Sequence, residues 1–368
     1  MKYKSYIGLL AIAAMVTSCS QDVVEESVFK GDEVFATLPE LEDGNVKTRS
    51  SLVYDSSDKK MHFTWEKGDE IGVFAINNDA SRRQQVLFKL TTGAGTIEGG
   101  FEAFDESLRT IEKNKKYVAF RPFSKEDDYD NLDLKYDEQK ASSFPKMKYN
   151  SFNGKNKAAD ATIYNESEEN ASAHLTNADY MVSEPVTALE DGHCSFEFKR
   201  IGAVVRFYMK SPNNIVYDGI QLVAKGNKKF ILTGTLEAET KEITPVTTDN
   251  AIFLTFSPTL DLTDKSSDYY YNGVGYIVSY MMIAPIDLRE ADEISIYLKG
   301  HDSANNSHYY KSRGELAKPN LTANMFYQWT SADNSDDAAI IFDKITVQDW
   351  EKDVKYSNGE EGTGTSIW

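Results

Sequence analysis

Two cysteines, Cys19 and Cys194, and five histidines, His62, His174, His193, His301 and His308, carry most of the nucleophilic and metal-ligating chemistry in this sequence. Their spacing limits what that chemistry is. No two histidines stand in an HExxH or other close ligand spacing, and two cysteines are too few for a disulfide framework or a Cys-based zinc site. The histidines read as surface residues, with His62 on the polar face of a predicted strand. His193 and Cys194 are adjacent, but neighbouring strand residues point to opposite faces, so adjacency makes no catalytic dyad. No GxSxG elbow, phosphate-binding loop or dinucleotide glycine fingerprint occurs. The acidic run Glu126-Asp127-Asp128-Tyr129-Asp130-Asn131 lacks the glycine and residue order of an EF-hand and reads as a solvated loop. Among 58 acids, a carboxylate pair of the kind used in glycoside hydrolysis is uninformative. The residues therefore offer no catalytic set, no metal site and no cofactor site, and the chain reads as a non-enzyme.

Cys19 has a different context. Lys2 and Lys4 precede Tyr6 to Ser18, an uncharged and mostly apolar run of 13 residues. Such a run is too short to span about 30 Å of hydrocarbon but suits an export signal. It ends Val16-Thr17-Ser18-Cys19, which resembles a bacterial lipobox, where small residues let a peptidase cut before an acylated cysteine. Residues 1–18 are thus expected to be a lipoprotein signal peptide, and Cys19 the lipidated first residue of the exported chain. Several acyl chains (palmitate and its like), at about 0.8 kcal/mol per buried CH₂, anchor a protein without a transmembrane helix. Cys194 is then the only side-chain thiol left free, so no intrachain disulfide can form. The following Ser20-Gln21-Asp22-Val23-Val24-Glu25-Glu26 resembles the acidic signal that sends lipoproteins of Bacteroides-type bacteria to the outer face of the outer membrane, although a plain solvated tether would also be polar.

The elements that follow read as strands. The 368 residues suffice for two domains, and 40% hydrophobic with 12% aromatic residues suffices for a core in each. A formal charge of −18 repels phosphate backbones and excludes nucleic-acid binding. Met61 to Trp65 alternates apolar and polar residues, Glu66-Lys67-Gly68-Asp69-Glu70 supplies turn chemistry, and Ile71 to Ile76 returns as a strand, which together predict a hairpin. Cys194, Phe196 and Phe198 alternate with polar residues. Ala203, Val205, Phe207 and Met209 alternate with Val204, Arg206, Tyr208 and Lys210, and each such strand is expected to have one wet face. No amphipathic helical period persists for three turns. Between Ser124 and Asn177 the apolar density falls, which reads as a long decorated loop region. The expected architecture is all-β, with two Greek-key antiparallel β-sandwich domains in tandem. Residues 19–49 form a tether and first strand, 50–190 the N-terminal domain, 191–350 the C-terminal domain and 351–368 a polar tail.

The lipobox, the dipeptide Thr48-Arg49 and the run Phe63-Thr64-Trp65-Glu66-Lys67-Gly68-Asp69-Glu70-Ile71-Gly72-Val73-Phe74 together resemble the fimbrillin family of Bacteroides-type bacteria, the type V pilins. The resemblance extends weakly to Cys194–Met209, Leu321–Trp329 and Ile345–Trp350. Physically the central run lets Trp65 and Val73 enter the core while Gly68 relieves the turn.

The resemblance implies two Greek-key β-sandwich domains, surface display as a lipoprotein, and cleavage by a trypsin-like protease after an arginine near the first strand. Loss of that strand leaves an apolar groove that an extended segment of a neighbouring pilin subunit fills. On this chain the removable strand falls at Glu33–Leu38, with Val34, Ala36 and Leu38 on one face, and the cut between Arg49 and Ser50. Arg49 is otherwise a plain surface arginine. Ile341, Ile345 and Val347 share a face of Ala339–Trp350, which either donates to a neighbour or completes its own sheet. Shaft, tip and anchor subunit are all open. The implied role is a fimbrial subunit of the cell outer membrane that supports adhesion. The alternative is a surface glycan-binding lipoprotein, with Tyr269-Tyr270-Tyr271 and Tyr309-Tyr310 as sugar-stacking platforms.

Overall fold

The computed structural model describes residues 33–38, 53–55, 60–62, 64–76, 86–104, 111–124, 131–147, 171–190, 192–271, 273–313, 316–331, 340–349 and 353–355. The candidate residues Cys19, Arg49 and Ser50 lie outside them. The strands, in chain order, are β1 (Glu33–Thr37), β2 (Val53–Asp55), β3 (Lys60–His62), β4 (Glu70–Ile76), β5 (Val86–Thr92), β6 (Glu98–Ala103), β7 (Lys116–Arg121), β8 (Leu132–Lys135), β9 (Lys140–Ala141), β10 (Met181–Ser183), β11 (Val186–Thr187), β12 (Cys194–Arg200) and β13 (Ala203–Lys210). They continue as β14 (Val216–Ala224), β15 (Phe230–Leu236), β16 (Ile243–Asp249), β17 (Ala251–Asp261), β18 (Tyr270–Tyr271), β19 (Val274–Ile283), β20 (Ile286–Asp287), β21 (Ile294–His301), β22 (Ser307–Arg313), β23 (Asn320–Leu321), β24 (Met325–Ser331), β25 (Ile340–Asp349) and β26 (Asp353–Lys355). The one helical element among the described residues is a 3₁₀ segment at Ala173–Asn177. The protein is all-β, and no helix among the described residues is long and apolar enough to cross a membrane.

The first sheet runs β10-β12-β1-β6-β5-β4-β7, and β7 pairs back to β10, which closes it into a ring. Every pairing in the ring is antiparallel except β1 with β12. Alternation fixes which residues fill it. Cys194, Phe196, Phe198 and Arg200 of β12 are buried while the residues between them are exposed. Val34 and Ala36 of β1 are buried in the same way.

The hairpin expected from Met61 to Ile76 does not form. The β3 strand pairs with β2, and both edges of β4 are taken, one by β5 and the other by β7. Trp65 instead bonds to the β5–β6 turn, its N–H donating to the Thr96 carbonyl at 2.8 Å and its carbonyl accepting from Gly95 N–H at 2.7 Å. The intervening turn is as expected. Asp69 N–H donates to the Glu66 carbonyl at 2.9 Å, and Gly68 takes φ +99°, a conformation that glycine alone adopts cheaply.

The second sheet follows the path β18-β19-β13-β24-β25-β22-β21-β14-β17-β9, with β26 on β25. It turns at β25, whose start pairs parallel with β22 while the rest pairs antiparallel with β24. The predicted wet face of β13 is absent. Val204, Arg206 and Tyr208 are buried along with Val205, Phe207 and Met209. The chain near 131–147 and 171–180 supplies a cover, and so is not the decorated loop its composition suggested: Leu132, Leu134, Tyr136, Phe144, Met147 and Leu175 are all buried. Gln139 performs a specific task there. Its side-chain amide donates to the Met282 carbonyl at 2.7 Å and accepts from Met282 N–H at 2.6 Å, completing the β19 edge as a strand would.

The β12 strand belongs to the ring, so the chain leaves the first sheet between Arg200 and Ala203, and β8 and β9 of the first half pair with β15 and β17 of the second. All of these strands belong to one unit, Gly31–Trp368.

Candidate functional site

The first strand lies between two strands far from it in sequence. Val34 and Ala36 of β1 face Cys194 and Phe196 of β12 in parallel register, and Phe101 and Gly99 of β6 in antiparallel register. Val34, Ala36 and Leu38 are buried almost completely, at 0, 0 and 1% exposure, so the three residues assigned to one face by alternation do fill the core together. Burial of a Val or Leu side chain contributes about 1.5–3 kcal/mol, and β1 adds a ladder of backbone bonds on each edge, extended by Leu38 N–H to the Ile97 carbonyl at 2.9 Å. On the outer side the Phe35 ring stacks on His193, with centroids 4.9 Å apart and planes at 15°. Sequence reading left His193 without a role, and only the parallel β1–β12 pairing brings it beside Phe35.

Trp65 makes the inner wall beneath β1. Its indole touches Phe101 of β6 edge-on at 4.8 Å and Phe198 of β12 at 5.8 Å, so it spans the two strands that flank β1. Its Nε1–H donates to the Ala36 carbonyl at 3.0 Å. A methyl group added at Gly99, opposite Ala36, would come within 2.8 Å of Trp65 Cδ1 and 2.6 Å of Leu90 Cδ1. The residue facing Ala36 is therefore glycine because the Leu90, Trp65 and Phe101 side chains occupy the volume that a larger residue would need.

Beyond Phe198, the inward position of β12 holds Arg200. Its Nε donates to Asp179 Oδ1 at 2.9 Å, Arg121 Nη1 lies 4.0 Å from Asp179 Oδ2, and Arg121 Nη2 lies 3.6 Å from Asp69 Oδ1. Asp179, Arg200 and Arg121 are all buried. Burial lowers the Arg200 pKa from its ordinary value, opposed by the Asp179 carboxylate. Asp69 Oδ2 also accepts from Glu66 N–H at 2.8 Å, so the network runs from the end of β12 to the turn that follows Trp65. Continuing the alternation of β12 by one step would have placed Arg200 inside, but its partner Asp179 carries no periodic signal.

Cys194 is buried and unoxidised, and burial pushes its thiol up to about 12. His174 is buried, not a surface residue; its Nε2 lies 2.8 Å from the Tyr280 carbonyl, and desolvation lowers its pKa. Among the described residues no group of three His, Cys, Asp or Glu side chains is placed to hold a metal ion. The tyrosines proposed as sugar platforms divide. Tyr309 is exposed, whereas Tyr310 and Tyr270 are buried, the latter donating its hydroxyl to Asn214 Oδ1 at 2.7 Å. Of the candidate donor residues, Ile345 and Val347 stand opposite Trp329 and Tyr327 of β24, and Ile341 opposite Arg313 of β22.

No family model and no curated protein matches the sequence. Among solved structures the fold is similar to a candidate cell adhesion protein from Bacteroides ovatus, at 14% identity over 86% of this chain and 96% of that one with a TM-score of 0.48. A candidate cell adhesion protein from Bacteroides uniformis is similar at 13% identity over 78% of this chain and 93% of that one, TM-score 0.48. The tip fimbrial protein Mfa3 from Porphyromonas gingivalis, with C-terminal truncation, is similar at 10% identity over 86% of this chain and 100% of that one, TM-score 0.35.

Proposed function

We propose that this chain is a fimbrial-type surface adhesion subunit, exported as a lipoprotein on Cys19, cut between Arg49 and Ser50, and joined to its neighbours by replacement of β1. The observation that carries the reading is the placement of β1. A five-residue strand with a fully buried inner face sits between β12 and β6, and the segment linking it to the rest of the chain contains Arg49. A cut there would turn an intrachain strand into a removable one, and its departure would expose two backbone edges over an apolar wall, the setting for strand addition. In the same reading, the ring and the second sheet are two Greek-key sandwiches in tandem, the first with its edges joined through β7 and β10. The partners are other pilin subunits, a trypsin-like maturation protease and, before cleavage, the outer membrane. Because β25 pairs with β24 and β22 of its own chain, the reading favours a subunit that accepts a strand and keeps β25 for itself, as a tip subunit would.

The deciding experiment is an intact-mass measurement of protein extracted from the cell surface. Acyl chains on Cys19 and a new terminus at Ser50 exclude each other on one chain. A mass beginning at Ser50 supports the full maturation reading, a lipidated mass beginning at Cys19 indicates an anchor, and an unlipidated chain retaining residues 1–18 defeats the proposal.

A further inference from the structure

We infer that the site vacated by β1 selects its incoming strand by size at one central position: it accepts an extended segment of another chain with a small residue there, flanked two positions away on each side by aliphatic residues. The inference rests on the strand-replacement reading above and specifies what that replacement accepts.

The selectivity comes from Trp65. The indole bridges Phe101 and Phe198, one on each flank of β1, and so passes beneath the middle of the strand. Ala36 is the inward residue at that point, facing Gly99 on one side and Phe196 on the other. A methyl group at Gly99, the residue facing Ala36, would meet the Trp65 ring at 2.8 Å, so the space on the β6 side of Ala36 is already filled. Val34 and Leu38 fill the inward positions two residues before and after, both buried. The same indole reads the main chain. Its N–H donates to the Ala36 carbonyl, so a replacing strand returns that bond only if it sets a carbonyl in the same register. A strand shifted by two residues would bring an aliphatic side chain over Trp65, and one shifted by a single residue would turn its apolar face outward.

This chain's own β25 does not meet the requirement. Reading every second residue from Ile341 gives Asp343, Ile345 and Val347, and from Ile340 gives Phe342, Lys344 and Thr346, with no small residue between two aliphatic ones. The β25 strand of a second copy is therefore not the segment this site accepts.

The test uses the full-length chain carrying an inserted specific protease site at residue 49, nicked so that the leading fragment stays bound but is exchangeable. Fluorescent peptides of residues 31–40 are offered, as the parent sequence and with Ala36→Gly or Ala36→Leu, and exchange is followed by anisotropy and native mass spectrometry. The parent and glycine peptides are expected to exchange, and the leucine peptide to bind about 10–100-fold more weakly, as overpacking of a filled core implies. In a Trp65→Ala body the leucine peptide should regain ground relative to the parent, which mere loss of stability would not produce. Should that variant not fold, Trp65→Phe, which deletes the N–H, is expected to weaken the parent peptide severalfold. Equal exchange of parent and leucine peptides would overturn the size selection while leaving strand replacement standing. No exchange of the parent peptide would overturn strand replacement, and the selection with it.

Discussion

Val34 and Cys194 lie opposite each other across the parallel β1–β12 pairing, so the first strand flanks the free thiol among the described residues. The thiol thereby reports whether the strand is present. With β1 in place, burial holds the Cys194 thiol up to about 12. Displacing the strand returns it toward the ordinary value near 8.5, raising its thiolate fraction at pH 8 on the order of 10³-fold. Labelling of the nicked chain by a thiol reagent should accelerate as the leading fragment leaves, and equal rates with and without the fragment would show that β1 does not cover Cys194 in solution.

Arg49→Ala should block maturation and assembly while leaving the subunit folded, because the uncut first strand keeps its own place. Electron microscopy of fibres and the melting temperature of the purified protein check the two halves separately. Ordinary fibre incorporation of the variant would remove Arg49 from the maturation scheme.

Asp179→Ala would leave Arg200 and Arg121 buried without their shared carboxylate. Removing one partner from a buried ion network costs about 3–5 kcal/mol, a fall of about 6–20 °C in a domain of this size. Asp179→Asn keeps the shape and loses the charge, so it should fall between the two. Chemical denaturation measures both, and a shift under 0.5 kcal/mol for the alanine variant would mean that water replaces the carboxylate.

His174 gives the stability a dependence on pH. Its folded pKa is lowered mainly by burial, so below the unfolded value of about 6.5 the unfolded chain binds the extra proton and the folded chain does not. Stability should therefore decline as pH falls from about 6.5 toward the folded pKa. His174→Gln should flatten that part of the profile while costing some stability at pH 7.5. Melting curves from pH 7.5 to 5 test this, and parallel profiles for parent and variant would assign the acid sensitivity elsewhere.

The β25 pairing leads to a specific outcome for Ile345→Asp with Val347→Asp. Both positions stand opposite buried residues of β24, so the isolated monomer should melt lower, by about 3 kcal/mol or about 6–12 °C. A variant that melts like the parent but fails to polymerise would return β25 to the role of donor strand.

The inner face of β1 was legible from Val34, Ala36 and Leu38 because a period of two survives even in a short strand. So were the core positions of Trp65 and Val73, the turn at Gly68 and the buried side of β12. What escaped detection depends on contacts between segments far apart in the chain. Ring closure rests on one short register of two residue pairs, Met181 with Arg121 and Val182 with Phe120, too brief to leave a pattern. Trp65 sits in an alternating run yet pairs with Thr96 and Gly95, because both edges of β4 are taken by β5 and β7. The second buried face of β13 could not be read because Arg206 and Tyr208 alternate with its apolar residues, and the buried residues Leu132, Tyr136 and Leu175 are dispersed through a polar stretch. The Arg200–Asp179 pair spans 21 residues with no periodic relation between its members.

The single parallel pairing in the ring has a topological consequence. Seven strands cannot alternate up and down around a closed circuit, and the mismatch falls between β1 and β12. Without β1, β12 and β6 would be antiparallel neighbours, and the six remaining strands would alternate without a fault. The vacated ring would then have two destinations: admit a foreign strand, or zip itself shut as a smaller barrel. Trp65 stands in the path of the second. Packed against Phe101 of β6 and Phe198 of β12, its indole would hold those strands apart once β1 had left, so in the strand-replacement reading one core side chain also keeps the emptied subunit receptive.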